Sequence, residues 1–180
     1  MIAENIPNVL TLARILLLPF FAITLIYGLY QYALILFVTA SVTDLLDGFV
    51  ARLKKQITAF GSILDPVADK FLLITSFIIM SVNGWIPKWL TIIIISRDLI
   101  IITGWLIIYL VTHNPKVEPS ILGKSANSLQ FILVGLTLLS INFKEIFLVP
   151  DFFLIIVAVV TTISGISYIY RGLKTVNTET

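Results

Sequence analysis

Six apolar runs divide almost the whole chain between them, at about 8–29, 31–53, 61–82, 87–112, 121–141 and 151–171. Each is close to the roughly 20 residues a helix needs to cross the hydrocarbon of a bilayer. The breaks carry turn chemistry: Gly28, the basic run of Arg52, Lys54 and Lys55, Asn83-Gly84 ahead of Pro87, Asn114-Pro115 through Pro119, and Asn142 to Pro150. In lipid only helices and closed barrels satisfy their own backbone, and these runs are too long and too uniformly apolar for barrel strands. The expected fold is an all-α integral membrane protein of six transmembrane helices, with residues 1–180 as one membrane domain.

Composition agrees. Of 180 residues, 58% are hydrophobic and 12% charged, against about 25% charged in a soluble domain. The absence of cysteine excludes disulfides, thiolate metal sites and cysteine nucleophiles. A net charge of +2 is too small to suggest a nucleic-acid partner. Met1-Ile2-Ala3-Glu4 lacks the positive charge of a cleavable signal.

An even number of spans puts both termini on one side. Arg14, Arg52, Lys54, Lys55, Lys116, Lys124, Arg171 and Lys174 fall on that side, with only Lys88 and Lys144 opposite. Basic residues concentrate in cytoplasmic loops, so both termini are expected in the cytoplasm of a cell-membrane protein. Lys70 and Arg97 remain, both inside predicted spans.

Of ten acidic residues, four crowd into residues 44–69, at the helix ends flanking one short cytoplasmic loop. Ionised carboxylates near lipid cost a few kcal/mol each (about 2.5–3.5 at a helix centre) and call for a compensating partner. Asp44 and Asp47 are spaced i,i+3, and Asp65 and Asp69 i,i+4, so each pair shares a helical face. Gly48 and Ala51 continue the first face and Gly61 lies one turn before Asp65, small residues that permit close approach of a helix or a ligand. Two facing carboxylate pairs make an all-oxygen site suited to Mg²⁺ or Mn²⁺. The same acids could instead pair with Arg52, Lys54, Lys55 and Lys70, or line a cation or proton pathway. The residues alone leave a metal-dependent enzyme and a carrier both open.

Written out, the segment reads Asp44-x-x-Asp47-Gly48-x-x-Ala51-Arg52, eight residues, then Gly61-x-x-x-Asp65-x-x-x-Asp69. It resembles, position for position, the signature of the CDP-alcohol phosphotransferase family, a six-helix fold, and the resemblance covers essentially the whole length. It implies that Asp44, Asp47, Asp65 and Asp69 are ligands of a two-metal centre, with Asp69 also the general base for the acceptor hydroxyl. It implies that Gly48, Ala51, Arg52, Thr58 and Gly61 serve the CDP-linked lipid. The implied reaction is attack by an alcohol on the lipid-proximal phosphorus of CDP-diacylglycerol, releasing CMP. Metals invert the charge of the carboxylates toward a polyanionic diphosphate, and an arginine adds a planar bidentate donor. The family's members pair as homodimers.

Two subgroups come close. Asn5-Ile6-Pro7-Asn8-Val9-Leu10-Thr11-Leu12-Ala13-Arg14 and Asp65-Pro66-Val67-Ala68-Asp69-Lys70 resemble both the phosphatidylglycerophosphate synthases, which use glycerol 3-phosphate, and the cardiolipin synthases, which use phosphatidylglycerol. A phosphate-bearing acceptor needs positive charge, and the candidates are Arg97, Lys124 and Arg171. The first subgroup typically has Arg-Glu where this chain has Arg97-Asp98, and G-K-x-K-T-x-x-Q where it has Gly123-Lys124-Ser125-Ala126-Asn127-Ser128-Leu129-Gln130. Ser96-Arg97-Asp98 and the stretch from Ser167-Tyr168 to Lys174 resemble the cardiolipin synthases somewhat better. Glycerol 3-phosphate ranks first as acceptor on the abundance of its subgroup. Arg97 and Asp98, adjacent on a helix, are not expected to face one another.

His113 reads as a surface residue. Trp85, Trp89 and Trp105 read as interfacial anchors, and Pro19 and Pro66 as helix bends.

Overall fold

The computed structural model describes residues 6–54, 59–112, 120–143 and 148–179. These residues form six helices: α1 (Ile6–Ile26), α2 (Tyr30–Lys54), α3 (Ala59–Val82), α4 (Lys88–Thr112), α5 (Ile121–Asn142) and α6 (Asp151–Glu179). Each expected run has its helix, with boundaries within a few residues except at the end of α6. Of the described stretches, Lys88–Ile107, Ile121–Asn142 and Asp151–Leu173 are long and apolar enough to cross a membrane. Ile15–Ile26 and Tyr30–Thr43 are shorter apolar stretches. Large side chains such as Ile35, Ile92, Ile102, Ile155 and Ile166 are exposed on the isolated chain, as lipid-facing residues should be.

The chain divides into two compact units: residues 1–80 with 134–148, and residues 81–133 with 149–180. In the first, α1 packs on α2, and the turn between them is set by Gly28. Its φ of 76° lies in the left-handed region that side-chain-bearing residues adopt at a cost. Leu29 N donates to Thr24 O at 2.8 Å and Gly28 N to Leu25 O at 3.4 Å, the 6→1 and 5→2 pattern that satisfies the last carbonyls of a helix. Beyond this turn Phe21 and Phe37 meet at a centroid distance of 6.2 Å, and Leu25, Ala33 and Ala40 on the same two helices are also buried. On α3, Leu72, Leu73, Ser76, Phe77 and Met80 are buried, the 3–4 spacing of one helical face. Asn142 ties the end of α5 to the start of α2, its Nδ2 donating to Tyr30 O at 3.1 Å.

In the second unit α4 packs against α6. Gly84, with φ of 76°, makes the turn before α4. Ser120 caps α5: its Oγ accepts from Gly123 N at 2.9 Å, satisfying one of the unpaired donors of the first turn. Gly104 on α4 gives room to Tyr168 on α6, whose Cε1 would lie 2.9 Å from a Cβ at position 104.

Candidate active site

The backbone carries Asp44 and Asp47 on α2 and Asp65 and Asp69 on α3, each pair within one continuous helix of the first unit. The helical register therefore gives each pair a shared face, as the spacing requires. The side chains of Asp44, Asp47, Gly48, Ala51, Arg52, Gly61 and Asp65, and Thr58 altogether, lie outside the described residues, as does His113. Among the residues whose surroundings are described, no group of three or more metal-ligating side chains occurs; only Asp69 of the four aspartates belongs to that set. Asp69 is half-buried and follows Ala68, which is fully buried, at the point where α3 enters its apolar face. Neither Asp69 nor its neighbour Lys70 is free of interaction partners.

The second unit holds a polar cluster built on Arg97. This side chain, from the middle of α4, is 5% exposed. Its Nη1 donates to Asp98 Oδ1 at 2.7 Å and to Asn127 Oδ1 on α5 at 3.1 Å. Its Nη2 donates to Ser164 Oγ on α6 at 2.9 Å. Arg97 and Asp98 are thus an ion pair, contrary to the expectation from their adjacency. Their Cβ atoms do diverge around the helix, but the long arginine side chain curls back far enough to bring its fork to the aspartate.

The glycines explain how three helices reach one guanidinium. A Cβ at position 123 on α5 would lie 3.3 Å from Arg97 Nη2, and one at 165 on α6 would lie 3.3 Å from Arg97 Cγ. Both separations are tight, so the absence of a side chain at each position gives the arginine its room. One turn along, Gln130 Nε2 on α5 donates to Thr161 Oγ1 on α6 at 3.2 Å, both residues fully buried. Buried Arg97 Nε, Gln130 Oε1 and Tyr168 Oη have no hydrogen-bond partner among the described residues.

Of the other two candidate cations, Lys124 is exposed in the first turn of α5, three positions before Asn127. Arg171 is exposed on α6, seven positions after Ser164 and so on the same face. What unites Arg97, Lys124 and Arg171 is their position on the helices of this unit. Asn127, Ser164 and Tyr168 join the functional candidates although none carries a formal charge. Their signal was a register of small and polar residues within apolar runs: Ser120, Gly123, Asn127 and Gln130 on α5, and Thr161, Ser164, Gly165 and Tyr168 on α6. Both departures from the phosphatidylglycerophosphate synthase pattern at bonded positions, Asp98 and Asn127, converge on Arg97 Nη1.

Six helices, three of them long and apolar enough to cross a membrane, and two aspartate pairs on consecutive helices fit a membrane transferase of nucleotide-linked lipids, the class to which the family match assigns the chain. The chain belongs to the CDP-alcohol phosphatidyltransferase family, whose model matches residues 4–164. It is similar to the CDP-diacylglycerol–glycerol-3-phosphate 3-phosphatidyltransferase of Bacillus subtilis, 35% identical over 193 residues that cover 96% of this chain and 99% of that one. It is 31% identical to a probable phosphatidylglycerophosphate synthase of Mycobacterium tuberculosis over 177 residues, 94% of this chain and 82% of the relative. The human cardiolipin synthase (CMP-forming) is 34% identical over 191 residues, 96% of this chain and 63% of that one.

Proposed function

We propose that this protein transfers the phosphatidyl group of CDP-diacylglycerol to glycerol 3-phosphate, releasing CMP and forming phosphatidylglycerophosphate. The observation that carries this reading is the end-to-end similarity to the Bacillus subtilis enzyme of that activity, together with the aspartate pairs on α2 and α3. Residues 1–180 form one catalytic domain, in keeping with a family match over residues 4–164. The spans orient with both termini and the active site toward the cytoplasm, on the distribution of basic residues. Pairing into a homodimer rests on the family resemblance alone.

In the reaction, the acceptor's hydroxyl oxygen forms a bond to the lipid-proximal phosphorus while the bond from that phosphorus to the CMP oxygen breaks. The hydroxyl proton passes to a carboxylate oxygen of Asp69. Asp44, Asp47, Asp65 and Asp69 hold two divalent cations, Mg²⁺ or Mn²⁺, whose preference for oxygen ligands suits a purely carboxylate donor set. When bound, those cations supply charge stabilisation to the phosphoryl oxygens. Gly48, Ala51 and Gly61 leave space for the nucleotide and diphosphate, Arg52 donates to the diphosphate, and Thr58 contributes a hydroxyl to the same ligand. Arg97, Lys124 and Arg171 serve the phosphate of the acceptor.

A second acceptor, phosphatidylglycerol, with cardiolipin as product, is favoured by one feature of the second unit. Ala126 is fully buried where the glycerol 3-phosphate subgroup typically has a second lysine. Purified protein in lipid separates an enzyme of this class from a carrier. The expected result is CMP release that requires CDP-diacylglycerol, an acceptor and a divalent cation together. Cation or proton flux without CMP release would overturn the reading.

A further inference from the structure

Among the described residues of the second unit Arg97 is the buried cation, and its hydrogen bonding is directional. A guanidinium offers five N–H donors in one rigid plane. Two from Nη1 reach Asp98 and Asn127 and one from Nη2 reaches Ser164, so partners from α4, α5 and α6 fix the plane. The Nε–H is buried and has no partner among the described residues. A buried donor left unmade carries a penalty that an incoming oxygen removes. The Asp98 carboxylate also balances the guanidinium charge at 2.7 Å. Three of the five donors are engaged, so what this cluster offers a ligand is the unmade Nε–H and a second Nη2–H rather than an excess of positive charge.

We propose that Asn127 and Ser164, with Asp98, are positioning residues that hold Arg97 so that its Nε–H engages one anionic oxygen of the acceptor's phosphate. Gly123 and Gly165 complete the device by leaving room beside Nη2 and Cγ. The inference rests on the reading that Arg97 serves the acceptor. It adds that acceptor affinity depends on how the guanidinium is oriented as well as on its presence. Removing either anchor frees the plane to rotate, which weakens the bond to the acceptor and leaves the lipid donor's site untouched.

The test is steady-state kinetics of the purified full-length protein in lipid, with glycerol 3-phosphate varied at saturating CDP-diacylglycerol and the reverse. Ser164→Ala and Asn127→Ala are expected to raise KM for glycerol 3-phosphate about tenfold, the scale of one charge-assisted hydrogen bond. KM for CDP-diacylglycerol and kcat should change by less than about twofold. Ser164→Thr, which keeps the hydroxyl, should restore the acceptor KM. Gly165→Ala leaves every hydrogen-bonding group in place while pressing on Cγ; it should show the same split if Ser164→Ala does not fold. The rise in thermal unfolding midpoint produced by glycerol 3-phosphate alone should shrink in Ser164→Ala and return in Ser164→Thr. An unchanged acceptor KM in Ser164→Ala and Asn127→Ala, alongside a raised one in Arg97→Lys, overturns the positioning role and leaves the acceptor role of Arg97 standing. An acceptor KM unmoved even in Arg97→Lys overturns that acceptor role itself. Parallel loss in kcat and both KM values without rescue by Ser164→Thr assigns the cluster to structure alone and overturns the proposal.

Discussion

Arg97 and Asp98 are consecutive in the chain and bonded in space, Nη1 to Oδ1 at 2.7 Å, with 6% and 3% of their side chains exposed. Removing one partner of such a pair leaves an uncompensated buried charge, which costs about 3–5 kcal/mol. Asp98→Ala should therefore destabilise the protein by about that amount in detergent. The double variant Arg97→Met, Asp98→Leu should lose markedly less, because no charge is left buried. Equilibrium unfolding followed by tryptophan fluorescence measures both; equal losses in the two variants would contradict the pairing.

Gly104 and Tyr168 mark a close approach of α4 and α6. A methyl at position 104 would stand 2.9 Å from the ring, so Gly104→Ala must displace the tyrosine or spread the helices. Overpacking of this kind costs about 1–3 kcal/mol. The unfolding midpoint should fall in Gly104→Ala and recover in Gly104→Ala, Tyr168→Leu. A midpoint that does not move in the single variant would speak against the contact.

Asp69→Asn keeps the size of the side chain and removes its basicity. Turnover should fall by at least about a hundredfold, the usual scale of general-base catalysis, while CDP-diacylglycerol still binds. A fluorescent CDP-lipid titration alongside the CMP assay separates the two effects. Near-normal turnover would sink the assignment of Asp69.

Stripping divalent cations with a chelator should stop CMP release, and Mg²⁺ or Mn²⁺ should restore it. Substituting Asn at Asp44 or Asp65 should shift the restoring concentration upward, since each carboxylate contributes to cation affinity. Full activity in the chelated protein would contradict the two-cation reading.

Much of this was legible in the sequence, for identifiable reasons. Helices that must satisfy their backbone in lipid announce themselves as long apolar runs, and Gly28 and Asn83-Gly84 mark turns through chemistry local to the chain. The end of α6 was less legible. Apolarity stops near Tyr170, yet the helix runs on to Glu179, because Arg171, Leu173 and Lys174 are good helix formers and no proline intervenes. The aspartate pairs were legible because their chemistry lies in one contiguous stretch, where spacing alone assigns a face. The surroundings of Arg97 were not. Its partners Asn127 and Ser164 lie 30 and 67 positions away, and no single helix's periodicity states which helices meet. The pairing with Asp98 was hidden differently, since backbone direction separates adjacent residues and only side-chain length reunites them.

The central claim, phosphatidyl transfer to glycerol 3-phosphate, is tested most directly by identifying the lipid product. Purified protein in lipid with CDP-diacylglycerol would receive glycerol 3-phosphate, phosphatidylglycerol, serine or inositol phosphate in separate reactions, with the lipids then resolved by mass spectrometry. The predicted result is phosphatidylglycerophosphate, with CMP in equal amount, from glycerol 3-phosphate alone. Cardiolipin from phosphatidylglycerol, with no phosphatidylglycerophosphate from glycerol 3-phosphate, would contradict it.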